Sequence, residues 1–167
     1  MPMWRITLTA PQYPSGITMY IWIDAITGDT PSTIQNINIL NHYVGMQYIE
    51  PDSIPELTYF PYIVWGMMFF SLLAFFINKR WFFFAVFLIY FGTSALGLYD
   101  FWLWEYDYGH NLSPKAPIKI EGQDYQPPLF GSQYLLNFKA DSYPTLGGVA
   151  FTFGVILHLV AAFFKRK

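Results

Sequence analysis

Cysteine is absent from the chain, which removes disulfides, thiolate nucleophiles, thiolate metal ligands and covalent haem attachment together. Charge is scarce as well: 12% of residues are Asp, Glu, Lys or Arg, about half the share usual in soluble globular proteins, which points to lipid as the solvent. The net charge of −2 supplies no basic footprint, so nucleic acid is not an expected partner. Met1-Pro2-Met3-Trp4 carries neither a basic n-region nor an apolar h-region, so no export signal opens the sequence. There is no Ser-His-Asp pattern, no glycine-rich phosphate loop and no His-x-x-x-His on a helix. The expectation is an accessory or structural protein and not an enzyme.

What the chain has in excess is uninterrupted apolar sequence. Residues 57–77 and 81–99 hold no formal charge, and at about 1.5 Å per residue each run spans roughly 30 Å, the thickness of a bilayer core. Both are apolar on every face, as Phe69-Phe70, Phe75-Phe76-Ile77 and Phe82-Phe83-Phe84 show. Asn78-Lys79-Arg80 between them allows only a tight hairpin. A third run, 145–164, contains Gly147-Gly148 and Gly154, which permit close helix approach. Its one ionisable group is His158, a functional candidate as any intramembrane ionisable group is, or equally a hydrogen-bonding partner for a neighbouring helix.

The fold class expected is therefore an α-helical membrane protein with three transmembrane helices, a small mixed α/β outer-facing module and a long outer loop. The expected boundaries are a module over 1–56, spans over 57–77, 81–101 and 145–164, a cytoplasmic turn at 78–80, a periplasmic loop over 102–144, and a cytoplasmic tail at 165–167. Sidedness follows from charge. Lys79, Arg80, Lys165, Arg166 and Lys167 flank one set of helix ends, whereas the acidic residues all lie elsewhere, five within 1–58 and six within 100–142. The positive-inside rule then puts the basic ends in the cytoplasm and the rest in an outer, periplasm-like compartment. Export of 1–56 leaves two alternatives, a further helix upstream of Met1, which is the favoured expectation, or a short N-terminal tail that crosses without one.

Within the module, residues 4–9 and 17–23 alternate apolar and polar side chains, the pattern of two half-buried strands pairing antiparallel, with 10–16 as the loop between them. Thr30 and Pro31 mark a helix start, Ile34, Ile37 and Leu40 its apolar face, and Gly45 its stop. A second extended piece follows at 46–49. Trp102, Trp104, Tyr106 and Tyr108 read as an interfacial aromatic belt, and 135–138 as a short interfacial helix. A structureless loop of nearly forty residues is unusual, so it is either functional or packed on the module.

Candidate ligands are few. His42 and Met46, in Asn41-His42-Tyr43-Val44-Gly45-Met46, are four residues apart, and an imidazole with a thioether suits copper, especially Cu(I). Met19 is another outer thioether. Against the pair, Gly45 interrupts the helix between them, and a histidine near a helix end often caps carbonyls. Glu105, Asp107 and His110 form a second set, able to hold a harder metal or pass protons, or simply to pair with Lys115 and Lys119. Docking of the module on the loop would let His42, Met46 and His110 converge.

Several blocks carry a resemblance: Ala10-Pro11-Gln12-Tyr13-Pro14, Leu40-Asn41-His42-Tyr43-Val44-Gly45-Met46, Trp104-Glu105-Tyr106-Asp107-Tyr108-Gly109-His110-Asn111, and Tyr125-Gln126-Pro127-Pro128. With these the chain resembles small bacterial inner-membrane proteins of unsettled activity found beside nitrous oxide reductase and its copper-delivery lipoprotein. The resemblance implies a context, copper-dependent denitrification at the outer face of the inner membrane, with nitrous oxide reductase or a copper lipoprotein as partner. It implies no mechanism. Two expectations stay open: a copper-handling accessory protein using His42, Met46 and His110, and a metal-free structural subunit of a larger membrane complex.

Overall fold

In the computed structural model, residues 1–120, 122 and 124–164 are described; Glu121 and the Lys165-Arg166-Lys167 tail invoked for sidedness lie outside them. The chain forms a five-stranded antiparallel sheet with one covering helix, set at one end of three long apolar helices.

Strand β1 (Trp4–Ala10) is central. It pairs on one side with β2 (Tyr13–Ile21) and on the other with β5 (Phe138–Pro144); β3 (Ile26–Gly28) and β4 (Gly131–Leu135) are the edges. The alternation in β1 produces the expected result, with Ile6, Leu8 and Ala10 buried on one face. The register stacks apolar rows across that face. Met19, Ile6 and Ser142 lie side by side, as do Ile17, Leu8 and Ala140. A register shift between Leu8 and Ala10 shortens the anticipated loop, so β2 starts at Tyr13 and only Pro11-Gln12 turn the chain.

The sheet thus takes strands from both ends of the sequence. Residues 102–144, expected as a loop, begin as helix and end as the β4–β5 hairpin. The segment read as an interfacial helix at 135–138 is the tip of that hairpin, where Leu136 adopts a positive φ of 58°. Leu135 and Phe138, on either side of the tip, are buried in the core.

Helix α1 (Thr33–Val44) lays Ile37 and Asn41 on the same apolar face and stops at Gly45, whose φ of 85° is the left-handed cap geometry. It starts slightly later than Thr30 and Pro31 suggest, because Asp29, Thr30 and Thr33 are tied by side-chain hydrogen bonds into a turn ahead of it. The anticipated second strand at 46–49 is extended but joins no sheet; the Asn38 side chain holds it instead, donating to the Ile49 carbonyl at 3.0 Å and accepting its amide at 2.7 Å.

Helices α2 (Glu56–Ile77), α3 (Arg80–His110) and α4 (Leu146–Phe164) are each long and apolar enough to cross a membrane. Asn78, in the left-handed region at φ 53°, makes the tight α2–α3 turn. The helices bury little against one another. Their core is Met67, Ala74, Val86, Tyr90 and Val155, while Phe69, Phe75, Phe76, Phe91 and Phe153 point outward. His158 packs its ring on Tyr90 and Phe83 of α3, but its Nδ1 is 2.9 Å from the Gly154 carbonyl of its own helix.

The glycines of α4 serve another purpose than helix contact. A Cβ on Gly147 would meet the Pro2 carbonyl at 2.2 Å, and one on Gly148 the Met3 carbonyl at 2.4 Å; around Gly154 there is open space. The paired glycines let the N-terminal backbone cross the start of α4, where Met3 O accepts the Thr145 amide at 3.0 Å.

Helix α3 has 31 residues, about ten more than a hydrocarbon core requires. The surplus, 102–110, runs beneath the sheet. The sheet therefore lies at the ends where α2 and α4 begin and α3 finishes. The Asn78-Lys79 turn and the end of α4 meet at the other extremity, where Asn78, Trp81 and Phe163 line one cleft.

Candidate functional site

The surplus turns of α3 divide their side chains by helical period. Trp104 and Tyr108, one turn apart with ring centroids at 4.3 Å, pack into the sheet core, as does Phe101. Trp102 and Tyr106 face outward. Half of the expected aromatic belt is thus core. Glu105, between Trp104 and Tyr106, is carried inward and has no exposed surface at all.

Three separate stretches close around it. The Gln47 side chain donates to Asp107 at 3.0 Å, the Tyr108 hydroxyl donates to the Tyr48 carbonyl at 2.9 Å, and the Ser113 amide to the Gly45 carbonyl at 2.7 Å. Farther along, the Ile118 amide donates to Tyr43 O and the Tyr125 amide to Gly109 O. Gly109 is required for the last contact: a Cβ there would lie 2.4 Å from the Gln126 backbone. The long connection after α3 is therefore packed on the module. Residues 42–48, 104–113 and 125–128, far apart in sequence, form one neighbourhood.

At its centre is a small cavity of about 40 Å³, lined by Met19, Met46, Trp104, Glu105, Tyr125 and Leu135 among others. Among the described residues, neither Glu105 carboxylate oxygen nor the Tyr125 hydroxyl has a hydrogen-bond partner, although both residues are fully enclosed. Loss of water around Glu105 pushes its pKa up to about 8. An enclosed acid of this kind stays protonated at neutral pH, and such groups gather at functional sites.

The expected ligands lie around this cavity but face different ways. Met46 packs inward against the core and lines the cavity. His42 is on the surface, its ring stacked on Tyr48 and its Nδ1 3.2 Å from the Tyr48 hydroxyl. His110 stacks on Tyr106 at 4.0 Å, with Nε2 3.8 Å from Asp124 and Nδ1 3.0 Å from Tyr106 O. The chain segments that bear the three residues come together; their side chains go to different partners. The set Glu105, Asp107 and His110 is likewise split around α3, one residue inside and two outside. The Lys119 ammonium meets the Pro114 carbonyl and pairs with neither carboxylate. Among the described residues no three His, Asp or Glu side chains form a metal-holding cluster. Glu105 and Tyr125 as an enclosed pair had no sequence signal beyond the unusual placement of an acid inside an aromatic run.

The chain matches no family model, no curated protein and no solved structure.

Proposed function

We propose that this is a membrane-anchored accessory or assembly protein of the bacterial inner membrane, with the sheet module in the periplasm engaging a protein partner and handling copper. The observation that carries this reading is the joining of residues 42–48 to 104–113 by direct hydrogen bonds, which puts the His42, Met46 and His110 segments on one part of the module. Imidazole and thioether are the donors here suited to copper, and Cu(I) in particular. Nitrous oxide reductase or a copper-delivery lipoprotein is the partner we favour, on the resemblance of the sequence blocks alone.

Sidedness and cargo are tested together. The chain has no cysteine, so single cysteines introduced by Tyr48→Cys or Asn78→Cys report cleanly on topology. A membrane-impermeant maleimide applied to intact spheroplasts should label the first and spare the second. The purified protein should retain Cu(I) against a competing chelator. Labelling of the Asn78 position from outside, or no retained copper, would remove the reading.

A second reading, a metal-free structural subunit, is supported by the thin packing of α2, α3 and α4, which leaves large aromatic faces for partner helices. Stable co-purification with a multi-subunit membrane assembly, free of copper, would favour it.

A further inference from the structure

The sequence directs attention to the surface histidines, but the unpaired donors are inside. Four residues of suitable chemistry line the same small space: Met19 on β2, Met46 after α1, Glu105 on α3 and Tyr125 of the returning chain, the last two with buried, unpartnered oxygens. They come from four separated stretches. Backbone structure positions all four: Met19 by its pairing opposite Ile6, Met46 by its amide bond to Asn41 O at 2.9 Å, Glu105 by its place in α3, and Tyr125 by its amide bond to Gly109 O.

Buried polar groups are almost always paired, and buried charges are paired or bind metal. Here a carboxyl has both oxygens unpartnered, and a phenol lines the same space. A space of about 40 Å³ accommodates an ion or a few waters. Sodium, potassium or magnesium needs a shell of oxygens that this apolar lining does not supply. Two thioethers with one carboxyl favour a soft monovalent metal, the sulfurs giving selectivity and the carboxyl, on releasing its proton to solvent as the metal enters, the compensating charge.

We infer that the small cavity between the sheet, α1 and α3 is a binding site for one soft monovalent metal ion, with Met19, Met46 and Glu105 as ligands and Tyr125 beside them. The inference deepens the copper reading and rests on it for the idea that the protein handles metal at all, but it moves the site from the histidine surface to the interior. His42 and His110 then lie outside the ligand set.

The test uses the intact chain in detergent, titrated with Cu(I) against a chromophoric chelator and with Ag(I) as a redox-inert probe. Three variants separate the possibilities. Met19→Leu with Met46→Leu keeps side-chain volume nearly constant and should weaken binding at least roughly 100-fold, beyond the roughly 10–100-fold expected of outer-shell partners. Glu105→Gln keeps the shape while removing the charge and should weaken binding by roughly tenfold or more. His42→Ala with His110→Ala should leave affinity within roughly threefold. X-ray absorption at the copper edge of the wild-type complex should show a sulfur shell. This spectrum decides the matter even if the methionine variant does not fold. Loss of binding in the histidine variant, or a shell of nitrogen and oxygen only, would overturn the interior site and leave the copper reading in place. No metal held by the wild-type chain would overturn both, and the cavity would then hold only water.

Discussion

The sheet module and the three long helices treat apolar side chains in opposite ways. In the module, Ile6, Leu8, Ile17, Met19, Leu135, Phe138 and Ala140 turn inward from several strands onto one core, with Thr7, Thr18 and Asp141 left on the other face. In the helices, phenylalanine and leucine turn outward, and what is buried is small or scattered: Ala74, Val86, Val155. A protein interior gains from removing apolar surface from water, but no such gain holds helices together where the surroundings are already apolar. The contrast separates two kinds of packing: the module has one inward-facing apolar core, whereas α2, α3 and α4 carry their apolar side chains outward and are long and apolar enough to cross a membrane.

Substitutions that strike one region and spare the other test that division. The largest effect is expected from Phe138→Ala, which empties a core position of the module and should cost about 3–5 kcal/mol. Followed by near-ultraviolet circular dichroism in detergent, module melting should fall sharply while the far-ultraviolet helical signal persists. Simultaneous loss of both signals would break the comparison, because the two regions would then be one cooperative unit.

Next in size is a pH effect of Glu105. Below the ordinary carboxyl value of 4.5, folded and unfolded chains both hold the proton; between 4.5 and about 8 only the folded chain does. Stability is therefore fully present at the acid end and drains away as pH rises through this window, by something on the order of 3 kcal/mol. Denaturant unfolding at stepped pH should show the slope, and Glu105→Gln should flatten it.

Gly109→Ala should cost about 1–3 kcal/mol by forcing a Cβ against the Gln126 backbone. Faster hydrogen exchange of the Tyr125 amide, which bonds Gly109 O, is the specific readout. The smallest effect belongs to Phe75→Ala with Phe76→Ala. Both side chains are more than 70% exposed, and module stability should stay within about 0.5 kcal/mol.

The helices were legible because lipid demands long apolar sequence with no partner needed to explain it. The β1–β2 pair was legible through its alternation. The other half of the sheet was hidden for physical reasons. Strand β4 is an edge whose Ser132, Gln133 and Tyr134 are exposed, so it carries no two-faced pattern. Its turn is made by Leu136 at positive φ, where the usual glycine or asparagine signal is missing. The burial of Glu105 was unreadable for a different reason. It depends on residues 42–48 and 125–128 arriving from either side, and nothing local to Trp104-Glu105-Tyr106 announces them. Whether the stretches bearing His42, Met46 and His110 meet depended on the module docking on the loop, and side-chain direction, fixed by Gly45 ending α1 and by the period of α3, lies beyond spacing alone.

Helix α3 runs unbroken from Arg80 to His110, roughly 45 Å of hydrogen-bonded helix with no proline in it. Its far end is a wall of the Glu105 cavity, so one element joins that cavity to the opposite extremity of the protein. A protein leaning on Trp81 or Phe84 would tilt the wall that carries Glu105 and Tyr108 without ever approaching them. Whatever fills the cavity would, by the same lever, be felt at the basic turn.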